Sequence, residues 1–216
     1  MWSAPARIGA AVVVAAVLTS CGGGGGGGTG EPEGRAAAEV CGGFAGDAAT
    51  AAALQAVLGG ERFEDDTSRA ERALGRLRDD AAAPWADSYR PQPVKYCGLA
   101  PAEGGPKDLR IEVGAVGKGP YLGPSLAPSV TSYASGIEAF SSSGVGHVYF
   151  SCRLKAPAHE IVVETTVRGP AGVPDTDLEQ RTRLITVANA AARDVAAALG
   201  CADTGLADGV PGKART

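Results

Sequence analysis

Aromatic side chains are scarce in this chain: Phe, Trp and Tyr make up 5 % of the 216 residues, although apolar residues as a class reach 44 %. Much of that apolar share is Ala, so the core must be built from small side chains around a few large ones, which favours packed helices and a modest sheet. An excess of positive charge is also missing. Lys and Arg number 20 against 24 Asp and Glu, for a formal net charge of -4, which excludes the broadly basic surface of a nucleic-acid binder. Histidine is limited to His147 and His159, and the five cysteines contain no Cys-x-x-Cys pair, so the usual zinc spacings are absent. No Gly-x-Ser-x-Gly elbow and no internal repeat occurs. The apolar run Ile8 to Leu18 would reach roughly 16 Å as a helix, short of the ~30 Å hydrocarbon core of a bilayer.

What is present begins with a targeting segment. Met1 to Arg7 carries a positive charge, Ile8 to Leu18 is apolar, and small residues precede Cys21, the three-part build of a secretory signal over residues 1–20. Leu18-Thr19-Ser20-Cys21 resembles the lipobox of bacterial lipoproteins, in which the signal is cut before the Cys and its thiol receives a diacylglyceryl group. By that resemblance Cys21 is the lipidated first residue, anchored stably because two acyl chains hold where one does not. The seven glycines Gly22 to Gly28 lack the strand before, the helix after and the Lys that a phosphate loop needs. Residues 21–38 read instead as the lipidated Cys and a flexible tether with an end-to-end distance of roughly 23 Å.

Cys41, Cys97, Cys152 and Cys201 remain, an even count in an exported chain, which points to two disulfides rather than to metal. Four cysteines allow three pairings, and sequence does not choose among them. The pairing favoured here is Cys41 with Cys97 and Cys152 with Cys201.

Along residues 39–203 the periodicity describes one domain. Asp47 caps a helix to Leu58, and Glu61 to Asp66 is a short strand or a turn. Ser68 and Glu71 have capping-box spacing before a second helix reaching Ala82, with Arg69, Arg72, Arg76, Arg78, Asp79 and Asp80 off its apolar stripe. Pro84, Pro91 and Pro93 open a loop holding Trp85 and Tyr89. Alternating patterns give strands at 94–99, 109–116, 146–154 and 160–167, while 117–144, rich in Gly, Pro and Ser, reads as a long loop where binding is to be sought. Thr176 and Glu179 form a second capping box ahead of a long helix that Gly200 ends, and residues 204–216 read as a flexible tail. The expected fold is α+β: an antiparallel sheet of four or five strands with the N-terminal and C-terminal helices packed on it.

The words Val40-Cys41-Gly42-Gly43, Tyr96-Cys97-Gly98, Val148-Tyr149-Phe150-Ser151-Cys152 and Gly200-Cys201, each set beside a helix or strand, resemble uncharacterised lipoproteins of streptomycete-type actinobacteria. More distantly they are similar to extracellular sensor domains of mycobacterial Ser/Thr kinases. The resemblance implies a secreted, disulfide-bonded α+β module and supplies no catalytic residue. No catalytic residue, metal or cofactor is assigned from the residues either. His147 faces away from Phe150 and Cys152, as a solvent-facing strand residue would, and His159 falls in a turn. Glu160 with Glu164, Asp65-Asp66 and Asp79-Asp80 read as solvent-face or helix-end charges. Trp85, Tyr89, Tyr121 and Tyr133 are either groove-lining or buried loop anchors. The expectation is a lipid-anchored, non-enzymatic binding or sensing module at the outer face of the cell membrane, whose partner is a small ligand or an envelope protein and not nucleic acid. The alternatives are a cell-envelope hydrolase or carbohydrate-active enzyme, and a structural accessory of an envelope complex.

Overall fold

The computed structural model describes residues 34–82, 92–117 and 121–215. The signal segment, Cys21, the glycine run, Trp85 and Tyr89 lie outside the described residues. In chain order the elements are β1 (Arg35–Ala36), α1 (Ala48–Leu58), β2 (Arg62–Asp66), α2 (Ala70–Ala82), β3 (Val94–Pro101), β4 (Leu109–Val116), β5 (Thr131–Tyr133), β6 (Glu138–Ser141), β7 (Val145–Arg153), β8 (Glu160–Arg168) and α3 (Leu178–Leu199), with 3-10 turns at Ala37–Gly43 and Ala127–Ser129. The strands form one antiparallel sheet in the order β1-β2-β3-β4-β8-β7-β6-β5.

The α+β class stands, but the sheet has 8 strands rather than four or five. The additions are short. β1 falls within the stretch read as tether, β2 resolves the choice left open at Glu61 to Asp66, and β5 and β6 lie inside the region read as loop. Three- and four-residue strands are too brief for alternation to stand out, and the pairing of β6 with β7 and of β5 with β6, rather than local propensity, makes them extended.

Helix α3 is the centre of the packing. One side lies on β6 to β8 and another meets α1, so every residue from Leu184 to Ala192 is buried, as expected of a helix enclosed on more than one side. Small side chains permit the approach: a Cβ on Gly146 of β7 would stand 3.0 Å from the carbonyl oxygen of Leu184. On the face covered by the helices the strands present Ile111, Val113, Val148, Phe150, Val163 and Val167, all buried, so the alternation seen in sequence does face a core.

The caps differ from expectation by small shifts. Asp47 accepts the Thr50 N–H at 2.9 Å, but α3 is capped by Asp177, which accepts the Gln180 N–H at 2.8 Å, rather than by Thr176. Ahead of α2, Asp66 accepts the Ser68 N–H at 3.0 Å, and the helix begins at Ala70. Cys41 is bonded to Cys97 and Cys152 to Cys201, with Cα–Cα separations of 5.9 and 4.8 Å. The first bridge ties the turn before α1 to β3; the second ties β7 to the residue following the left-handed Gly200 at the end of α3. Cys41 itself holds φ at +48°, and Asp65 steadies it by accepting its N–H at 2.7 Å.

The largest departure concerns residues 204–215. Their Gly, Pro and charge content reads as a loose tail, yet they lie along β5 and over α3. Ala134 donates its N–H to Gly212, Ala214 donates to Ser132, and Gly136 donates to Gly205, at 2.8, 3.0 and 2.9 Å. Fully buried Asn189 on α3 is the hub. Its Nδ2 donates to the carbonyls of Ala207 and Gly209 at 2.9 and 3.0 Å, its Oδ1 accepts from the Ser135 hydroxyl at 2.6 Å, and Ser135 Oγ accepts the Ala207 N–H at 3.1 Å. A polar side chain inside an apolar helix is retained because every one of its groups is paired.

Candidate functional site

The face of the sheet turned away from α3 carries a polar and aromatic cluster. Register places Glu138 opposite Tyr149, Phe140 opposite His147, Tyr149 opposite Glu164 and His147 opposite Thr166, so these side chains share one patch across β6, β7 and β8. His147 Nδ1 lies 2.9 Å from Glu164 Oε1, and the Tyr149 hydroxyl donates to the same oxygen at 2.6 Å. Tyr121, from the loop after β4, stacks on Tyr149 with ring centroids 4.2 Å apart and planes within 6°. Glu138 Oε2 fixes that loop by accepting the N–H groups of Tyr121 and Leu122 at 2.8 and 3.3 Å. Phe140 closes the cluster, 5.0 Å from the His147 ring. Offset and parallel ring contacts at these distances add to the burial itself.

Burial alone would push the Glu164 carboxyl up, but the bonds from His147 and Tyr149 outweigh it and hold the group below its ordinary 4.5. Burial, then the bond to Glu164 and its charge, raise the Tyr149 hydroxyl, which stays a donor. The sign of the acid response follows. A carboxyl depressed in the fold contributes stability that is full above its ordinary value and is lost as pH falls through the folded value. The difference in melting temperature between the native chain and Glu164→Gln should therefore be present at about pH 5 and shrink toward about pH 3. A difference that grows in acid would contradict this arrangement.

The chemistry open to the cluster is limited by how its groups are spent. In a nucleophile–His–carboxylate relay, nucleophile and carboxylate sit on opposite ring nitrogens. Here the Thr166 hydroxyl, 3.3 Å away, and Glu164 both address Nδ1, and among the described residues no hydroxyl or thiol bonds Nε2. Glu138 is occupied by two backbone N–H groups. Glu160, four residues from Glu164 along β8 and so ~13 Å along the strand, bonds Ser151 and Arg153. That rise exceeds the roughly 5 to 9.5 Å of a glycosidase carboxyl pair. Asp65 and Asp66 point to opposite faces, toward Arg35 and Lys95, and Asp80 is buried beside Arg76.

The other singled-out residues are dispersed. His159 is exposed and its backbone N–H donates to Ala81 at 2.7 Å. Tyr133 is a buried anchor whose hydroxyl lies 3.3 Å from Thr182 Oγ1. Among the described residues, potential metal-ligand atoms converge only at Cys41, Asp65 and Cys97, within 4.8 Å, where two of the three are joined to each other. Tyr96 donates to Asp194 at 2.6 Å on α3, and burial raises that carboxyl despite the bond. The His147–Glu164–Tyr149 grouping is absent from the site residues read off the sequence. Its signal lay in the hairpin: pairing Arg153 with Glu160 across the 155–159 turn sets Tyr149 opposite Glu164 by counting alone.

Among the described residues no helix is long and apolar enough to cross a membrane. Comparison of the chain with protein-family models, with curated proteins and with solved structures finds no match.

Proposed function

We propose that this chain is a bacterial lipoprotein anchored through Cys21 to the outer face of the cell membrane, and that its folded part is an extracytoplasmic binding or sensing module rather than an enzyme. The observation that carries the anchoring is the word Leu18-Thr19-Ser20-Cys21 after an 11-residue apolar run and before a glycine tether. Two cysteine pairs at disulfide distance support an oxidising compartment outside the cytoplasm. The resemblance to streptomycete-type lipoproteins points the same way. Binding is favoured over catalysis because the histidine and carboxylates around Tyr121 are spent on one another and on the backbone.

Replacement of Cys21 by Ala is the direct test. The native chain should incorporate an alkynyl palmitate in actinobacterial cells and sediment with membranes. Cys21→Ala should lose the label entirely, and continued labelling of the variant would refute the anchor.

A further inference from the structure

A groove of about 900 Å³ runs along the exposed side of α2, between that helix and the first residues of β3 with the neighbouring part of β4. Among the described residues five cations line it, Arg69, Arg72, Arg76, Lys95 and Arg110, a quarter of the 20 Lys and Arg in a chain whose net charge is negative. Among the described residues, two carboxylates, Asp79 and Glu112, share the lining. Three of the cations have partners nearby: Arg76 with Asp80 at 3.3 Å, Arg110 with Glu112 at 3.8 Å, and Lys95 with Asp66. Arg69 and Arg72 form no ion pair among the described residues. Arg72 stands on the exposed side of α2, away from buried Leu74 and Leu77, and Arg69 immediately precedes the helix; both are exposed.

Gly75 is the second and independent observation. It sits in the interior of α2, where glycine is a poor helix former. Its backbone is not left-handed, and a Cβ built on it would meet nothing within 4 Å. Neither the helix nor its neighbours require a glycine there. Between Arg72 and Arg76, however, its missing side chain leaves the floor of the groove open to a ligand.

We propose that this groove binds a ligand presenting two or more phosphate groups. Arginine forks recognise phosphate bidentately, and the track from Arg69 to Arg76 is roughly 10 Å long, room for successive anionic groups but excessive for a single carboxylate. The positive excess of the lining matches a polyvalent anion and not a monovalent one. A groove of this size is in the range of small-molecule sites. The inference rests on the reading of the chain as a binding module and names the chemistry of what it binds. It does not depend on acylation of Cys21, so each can fail without the other.

The test is calorimetric titration of the full chain in detergent with sodium tripolyphosphate, and in parallel with micelles doped with cardiolipin, a lipid bearing two phosphates. Tripolyphosphate should bind with a sub-millimolar Kd that weakens as salt is raised. The double variant Arg69→Gln/Arg72→Gln should weaken binding at least tenfold with an unchanged melting temperature. Gly75→Gln should also weaken it while leaving the melting temperature equal or higher, since the fold gains a better helix former. Arg153→Gln, an exposed arginine remote from the groove, should bind as the native chain does. Binding of cardiolipin micelles alone, lost in the double variant, would place the phosphates on a lipid. The proposal is overturned if neither probe binds below millimolar concentration, if the groove variants bind normally, or if Arg153→Gln costs as much.

Discussion

Replacing Asn189 by Ala is expected to destabilise the domain by about 3 kcal/mol, from three lost hydrogen bonds at roughly 1 kcal/mol each, two of which leave carbonyls near the α3 surface unpaired. The effect should be larger than a methylene count suggests, because Asn189 ties the carbonyls of Ala207 and Gly209 to α3. Asn189→Asp separates hydrogen bonding from volume: it keeps the shape but turns an oxygen toward the carbonyls of Ala207 and Gly209, and it should be at least as damaging. Chemical denaturation gives the free energy. Hydrogen exchange gives the location, with the amides of Ala134, Gly136 and Ala214 losing protection first in the variant. A loss below about 0.5 kcal/mol, the range of neutral surface changes, would show that the tail is not held by this residue.

Removing the second disulfide by Cys152→Ala/Cys201→Ala should cost about 3 to 4 kcal/mol, because the bridge closes a separation of 49 residues in the unfolded chain. Alanine is the appropriate replacement, since Cys152 is fully buried and serine would add an unpaired hydroxyl. The core raises the consequence: Ala188, Ala191 and Ala192 bury little area per residue beneath the sheet, so cross-links supply stability that larger side chains supply elsewhere. Denaturant midpoints of the native and double-variant chains measure the difference. A change under about 1 kcal/mol would mean that the bridge does not constrain the unfolded chain as the loop-entropy argument requires.

How far the sequence reveals this fold depends on the range of the interactions that define each element. β4, β7 and β8 are eight or nine residues long and alternate over their whole length, so a local pattern suffices. The same holds for α3, with its apolar periodicity, its acidic start and the glycine after Leu199. β5 and β6 escape because they are extended only where β6 pairs with β7 and β5 with β6, inside a stretch whose Gly, Pro and Ser content argues for a loop. The tail escapes for a related reason. Its partners, Asn189, Ser132, Ala134 and Ser135, lie elsewhere in the chain, and nothing local distinguishes a pinned tail from a loose one.

The site follows the same rule. His147 is readable as a residue facing away from the helices, but its carboxylate and its tyrosine come from register across a hairpin, and Tyr121 arrives from a loop fixed by Glu138. The basic groove is half legible: the off-stripe arginines of α2 are plain in sequence, while Lys95 and Arg110 join them only through the pairing of β3 with β4. The lipobox-like word is local by nature, and it therefore carries the functional reading further than the folded domain does.

That reading is tested most directly by expressing the full chain in an actinobacterial host, fractionating the cells and measuring the mass of the protein's amino-terminal peptide. The account predicts a mature chain beginning at Cys21 and carrying a diacylglyceryl thioether. A membrane-recovered chain that begins at Met1, or at an unmodified Cys21, would contradict it.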